Sequence, residues 1–218
     1  VVSSIPLTLL VQRFDPQPPV DVIAASQALT YRHTILVYLF VDRQDLFPDN
    51  WIYIHAPDVQ VGRITNFRNW SPDLVGASPL TPLCLEYWCY DEDAIWQEPQ
   101  ETLIARAKQE LQRIGLATAS QVTDAFAVRL PRTYPVYRSG YRRHLDTLAA
   151  YLAGFGNLQV IGRAGAYKYN NQDHSILMGY LAARNLAGEK HDLWAVNTDT
   201  EYHEGATFQG GTASVPVS

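Results

Sequence analysis

The sequence contains no GxGxxG run, the glycine pattern that lets a strand-to-helix turn approach a dinucleotide pyrophosphate. Gly154 and Gly156 begin such a pattern, but the last glycine is missing and the segment follows a helical stretch. Cysteine is scarce, with only Cys84 and Cys89. If the run around them is a strand, they lie roughly 16 Å apart on opposite faces, too far for a disulfide. Free thiols in a reducing compartment are therefore expected, and with them a cytoplasmic location. Two cysteines without a matching histidine spacing do not make a zinc site, so no metal is expected. Charged residues are only 18% of the chain, the net charge is −5 and there is no Lys/Arg run, which argues against nucleic acid as partner. The longest apolar run, 35–41, is too short to span a bilayer. The opening VVSSIPLTLL lacks the basic region and cleavage pattern of a signal peptide. It reads as a strand end entering a helix, which suggests a chain cut from something longer.

What is present is enough to bury a sizeable core: 218 residues, 47% of them hydrophobic, room for one large domain or one and a half. Pro6 suits the first turn of a helix reaching about Val11, and a second helix fits 20–29. Strands fit 33–41, 51–55, 62–67 and 83–90, short and joined by turns, which implies an antiparallel sheet. Glu86 would share a strand face with Cys84 and Trp88, and a lone carboxylate there reads as surface or paired before it reads as a catalytic base. Pro99 introduces a helix with Leu103, Ala107, Leu111 and Ile114 on one stripe and Gly115 beyond it. Its other side carries Arg106, Lys108, Gln109 and Arg113, expected to be solvated. A strand over 121–130 runs into Pro131 and Pro135, which hold the intervening residues extended. Tyr134 and Tyr137 stand on that stiff segment, and a further helix covers 141–153. The polar, glycine-rich residues after Lys190 read as a tail.

The chemistry concentrates in 161–186, IGRAGAYKYNNQDHSILMGYLAARNL. A strand over 158–161 leads into a polar loop and then a helix that begins near Asp173 and stops before Gly188. Ile176, Leu177, Tyr180 and Leu181 make one apolar side and Met178, Ala182 and Leu186 a second, so the helix is expected to be buried. Its start offers unpaired N–H groups and a positive dipole end to an anionic or polar ligand over 171–175, and Arg163 adds a planar fork. An alternative keeps all of this structural: Asn171, Asp173 or Ser175 caps the helix, the tyrosines pack, and Arg163 pairs with a carboxylate.

Residues 162–169, GRAGAYKY, followed by Asn171, Gln172, Asp173, His174 and Ser175, resemble the last flavin-contacting segment of UDP-galactopyranose mutases and related amine-oxidase-like FAD proteins. The Tyr134-Pro135-Val136-Tyr137 stretch resembles the Tyr-Pro stretch that precedes it there. The match is dense from about 128 to 186 and looser back to Leu29. The resemblance implies an α+β chain, an antiparallel-sheet substrate domain joined to the C-terminal part of an α/β FAD-binding domain. Residues 1–24 would be the edge of the FAD domain, 25–135 the substrate domain, 136–188 the C-terminal part of the FAD domain and 189–218 a tail. The pyrophosphate-binding turn would then lie in a missing N-terminal dinucleotide-binding segment, which accounts for the absent GxGxxG. FAD would meet Gly162, Arg163, Asn171, Gln172, Asp173, His174 and Ser175. A small-molecule substrate, a sugar nucleotide or similar, would meet Arg163, Tyr134, Tyr137, Tyr167 and Tyr169. The activity implied is that of an FAD-dependent oxidoreductase or flavin-dependent isomerase. In the mutases the reduced flavin is itself the nucleophile, so no catalytic side chain is assigned. An amine-oxidase-like enzyme is the second reading, weakened because those enzymes usually carry an acidic residue where Arg163 stands. A flavin-free binding domain is the third. The family's uridine-binding segment has no counterpart that the sequence reveals.

Overall fold

The computed structural model describes residues 1–197. In chain order its elements are β1 (Val2–Ser3), α1 (Leu7–Gln12), α2 (Val20–Ala28), β2 (Thr30–Val41), β3 (Trp51–Tyr53), β4 (Arg63–Asn66), α3 (Phe67–Trp70), β5 (Thr81–Cys89), α4 (Ala94–Gln97), α5 (Gln100–Arg113), β6 (Val122–Val136), α6 (Tyr141–Leu152), β7 (Gln159–Val160), α7 (Gly162–Gly165) and α8 (Gln172–Leu186). A five-stranded antiparallel sheet has the order β3-β4-β5-β2-β6, and β1 pairs in parallel with β7. The mixed α+β class with an antiparallel sheet is as expected.

Alternation decides the large sheet. Ile35, Val37, Leu39 and Val41 of β2 and Leu83, Leu85, Tyr87 and Cys89 of β5 point to one face and are buried under Leu103, Ala107 and Leu111 of α5. The other face carries Leu36, Tyr38 and Phe40 beside Cys84, Glu86 and Trp88. β6 is longer than the sequence pattern shows, because it stays paired with β2 through both prolines. It is an edge strand, where a missing N–H costs least. A second core joins α1, α2, α6 and β7 through Leu7, Val11, Val22, Ala25, Leu148, Leu152 and Val160.

Three expectations change. α8 is not buried all round: Met178 and Ala182 are buried, but Ile176, Leu177, Tyr180 and Leu186 are exposed. Arg106 is not simply solvated, because it pairs with Glu98 where both side chains are mostly covered. The supposed tail packs as far as it is described. Leu193 and Val196 are buried with Met178 and Ala182, while 198–218 lie outside the described residues.

Cys84 and Cys89 are free and buried, on opposite faces. Burial pushes their thiols up to about 12 and about 11 and the Tyr38 and Tyr167 hydroxyls up to about 12. In the unfolded chain these groups lose protons from about 8.5 for Cys and about 10 for Tyr. Above those values the unfolded state binds fewer protons than the folded one, so stability falls as pH rises. The expected result is a urea midpoint that declines steadily from about pH 9 upward. A midpoint that held constant to about pH 11 would contradict it.

Candidate functional site

A cleft of about 340 Å³ opens where the end of β2 meets β4, β5, the far end of β6 and the loop after α7. Tyr53, Trp88, Tyr90, Tyr134, Tyr137 and Tyr169 line it together with Arg32 and Arg63. A larger hollow of about 870 Å³ follows 152–160 and 185–194, but neither an arginine nor a tyrosine lines it. The smaller cleft is the one that gathers chemistry.

Each arginine has its own setting. Arg63 opens β4 opposite Glu86 of β5, and the pair is bidentate, with Nε donating to Oε1 at 2.7 Å and Nη2 to Oε2 at 2.8 Å. Burial works against the Arg63 charge, but the hydrogen bonds and charge of Glu86 outweigh it and hold the guanidinium above its ordinary value. Glu86 is thus the paired carboxylate that its strand position suggested. Arg32 has no such partner: among the described residues no carboxylate lies within ion-pair distance, and its buried Nε has no acceptor. Its guanidinium instead lies 5.9 Å from the Trp88 ring centre and 5.8 Å from that of Tyr90. Trp88 reaches this position because residue 62 is glycine; a Cβ there would stand 2.2 Å from the indole.

Arg163 sits beside the cleft, against Tyr134 and Tyr169 of its lining, on α7, a helical turn the sequence does not announce. Gly162 starts that turn at φ +77, a conformation that disfavours any side chain. The Arg163 guanidinium carbon is 4.7 Å from the centres of both Tyr134 and Tyr169, whose rings stack 5.5 Å apart. Its Nε donates to the Asn170 carbonyl at 2.6 Å and its Nη2 to Asn171 Oδ1 at 3.4 Å. Among the described residues no carboxylate pairs with it, so that structural alternative is not realised. The capping alternative is realised for Asn171, which forms a reciprocal capping box with His174; the Asn171 amide donates to His174 Nδ1 at 3.3 Å. Gln172 and Asp173 are exposed at the helix start, and the Ser175 amide is taken by the Asn171 carbonyl. Arg163 thus ties α7 to Asn170 and to Asn171 at the start of α8, beside the cleft.

Of the tyrosines expected toward substrate, Tyr134, Tyr137 and Tyr169 line the cleft and Tyr167 does not. Tyr167 is fully buried, with its hydroxyl on the carbonyls of Thr30 and Val136 at 2.7 and 2.8 Å. It fastens α7 to both long strands and has no surface left for a ligand. Tyr137 accepts a hydrogen bond from the Tyr169 amide at 2.7 Å, and burial raises the pKa of both side chains. Sequence reasoning missed Arg32, Arg63, Tyr53, Trp88 and Tyr90. The available signal was a charged residue standing in each of two otherwise uncharged strand ends.

No helix among the described residues is long and apolar enough to cross a membrane. No group of three or more His, Cys, Asp or Glu side chains among them is placed to hold a metal ion.

No family model matches the chain, and no curated protein does. Solved structures do. A reduced UDP-galactopyranose mutase superposes with a TM-score of 0.77 at 20% identity, over 90% of this chain and 42% of its own. A protein described as a protoporphyrinogen oxidase, from Exiguobacterium sp. 255-15, gives 0.57 at 20% identity over 75% of this chain and 36% of its own. A putrescine oxidase redesigned in cofactor binding gives 0.58 at 15% identity over 87% and 42%. The chain thus spans less than half the length of each. It has the amine-oxidase-like fold that these enzymes share, over the part of that fold holding the antiparallel sheet and the segment from β7 into α8.

Proposed function

We propose that this chain is part of an FAD-dependent enzyme whose substrate carries an anionic group, a sugar nucleotide or a similar phosphate ester, and that the aromatic cleft receives it. One observation carries the reading: Arg32 is charged, half-buried and without a counter-charge among the described residues. Burying an unpaired charge is costly, and an anionic ligand supplies the missing partner. The tyrosine and tryptophan walls add flat apolar surface with polar edges, suited to a sugar or a base. Arg63 contributes shape more than net charge, since Glu86 already neutralises it. A cleft with this balance favours an anion over an amine, which places the amine-oxidase-like reading second.

The residues beside the cleft fit one end of the cofactor. Gly162 leaves room against the backbone, Arg163 presents a guanidinium, and the exposed start of α8 at Gln172 and Asp173 offers main-chain donors. When bound, the flavin supplies the redox or nucleophilic chemistry; the chain's own residues bind and orient. In this reading α1, α2, α6, β7, α7 and α8 lie on the flavin side and the large sheet on the substrate side. The pyrophosphate cradle belongs to a dinucleotide-binding segment outside this sequence.

Two measurements test the proposal. With the full-length protein, UDP-sugar turnover is expected only after the flavin is reduced with dithionite. Amine oxidation with peroxide release, and no reaction of UDP-sugars under either condition, would sink it. The 218-residue chain mixed with FAD is expected to leave gel filtration without stoichiometric flavin absorbance, because the sequence lacks the glycine-rich turn on which dinucleotide affinity depends.

A further inference from the structure

The loop after α7, which carries Tyr169 into the cleft and meets Arg163 through Asn170, is fastened from behind by residues 191–197. Lys168 Nζ donates to the carbonyls of Trp194, Val196 at 2.7 Å and Asn197 at 3.4 Å, the bond to Trp194 being short. Among the described residues no carboxylate lies within ion-pair distance of that ammonium, and its burial lowers the Lys168 pKa. Asn197 Nδ2 in turn donates to the Tyr169 carbonyl at 3.1 Å and to Asn170 Oδ1 at 2.9 Å. Asn170 is buried and is the hub: its side-chain amide meets Met178 Sδ at 3.1 Å, and its carbonyl is the one that Arg163 Nε grips. An unbroken series of bonds therefore runs from the Lys168 ammonium through 194–197 and Asn170 to the guanidinium over Tyr134 and Tyr169.

We propose that Lys168 is a positioning residue of the candidate site, its ammonium clamping 191–197 against 168–171 and so fixing Arg163 against Tyr134 and Tyr169 of the cleft wall. The importance of that fixation rests on the reading of the cleft as a substrate site. Three main-chain carbonyls gathered on one point need a cation with several donors, and an apolar side chain of equal length leaves them without a partner. A packing role alone would be met by either side chain.

That difference gives the test. In the 218-residue chain, Lys168→Cys is alkylated either with bromoethylamine, which restores an ammonium at the length of lysine, or with bromopropane, which gives the apolar isostere. Cys84 and Cys89 are buried with raised thiol pKa values, so near pH 8 the new thiol reacts first. The readout is solvent exchange of the Arg163 Nε–H in nitrogen-15 spectra, assigned with Arg163→Lys. Exchange is expected to rise about tenfold or more in the unmodified and propyl forms and to return to the wild-type rate in the aminoethyl form. Equal exchange in all forms, or equal restoration by propyl, overturns the clamp. Should Lys168→Cys fail to fold, Asn197→Ala removes the two bonds to the loop and leaves the ammonium in place. It is expected to loosen Arg163 similarly, and an unmoved Arg163 there overturns the proposal as well. Titration of the wild-type chain with UDP separates the two readings: no binding, with Arg163 protection depending on the ammonium as described, removes the cleft reading and leaves the clamp standing.

Discussion

Glu110→Ala is expected to lower the unfolding free energy by about 3–5 kcal/mol in a urea titration. Glu110 stands on the buried side of α5, and its carboxylate holds three donors. Oε1 accepts the Gln60 amide at 3.0 Å; Oε2 accepts the Val61 amide at 3.0 Å and the Tyr87 hydroxyl at 3.1 Å. Alanine leaves two main-chain N–H groups and a phenol without their acceptor, two of these donors being on the buried residues Val61 and Tyr87. Glu110→Gln keeps the shape but turns one acceptor into a donor, and about 1–3 kcal/mol is expected. Tyr87→Phe removes only one donor and should cost about 1 kcal/mol. The order, alanine worst and phenylalanine mildest, is the informative part. A Glu110→Ala loss no greater than that of Tyr87→Phe would show that the carboxylate does not hold the 60–61 backbone. That backbone leads directly into Gly62 and Arg63, so the same carboxylate also steadies one wall of the cleft.

The apolar stripe of α5 is plain in the sequence, yet Glu110 is not, because a carboxylate one residue away from a core leucine looks like any other polar position on a helix. The same limit applies to the cleft. β2, β5 and α5 are legible because alternation or a repeat of three and four residues is a local property. The Asn171 cap and the stop at Gly188 are legible for the same reason. Arg32, Arg63, Trp88 and Tyr134 come from four strands, and only the register of the sheet places them together: Arg32 beside Tyr134, and Arg63 beside Glu86. No spacing within the chain contains that register. The resemblance at 162–175 found the loop, since it lies within one strand, loop and helix, but it grouped Tyr167 with Tyr169. These two are two residues apart, and Tyr167 at φ +50 turns inward to the carbonyls of β2 and β6 while Tyr169 faces the cleft. The second apolar side of α8 shows a further limit. Ile176, Leu177 and Tyr180 form a genuine helical face, but periodicity reports that a face is apolar and says nothing about what covers it.

Arg32→Ala is expected to weaken UDP binding by about 30-fold to a thousandfold or more, while leaving uridine binding and urea stability nearly unchanged. A charge-assisted contact at a covered site costs about 2–5 kcal/mol when truncated, and Arg32 has no carboxylate to strand when it goes. Arg63→Ala should behave differently. It strands Glu86, which is buried behind Arg63, so both stability and UDP affinity should fall, the first by about 3–5 kcal/mol. Adding Glu86→Gln to Arg63→Ala removes the stranded charge and should recover much of both losses. Arg113→Ala, more than half exposed on α5, serves as the reference for a surface arginine and should change nothing by more than about 0.5 kcal/mol. Calorimetric titration of UDP and of uridine against the four variants, with urea curves for each, gives every quantity needed. If Arg32→Ala reduced the affinity for uridine as much as for UDP, Arg32 would be acting on the base or the ribose, and the cleft would lose its claim to the phosphate.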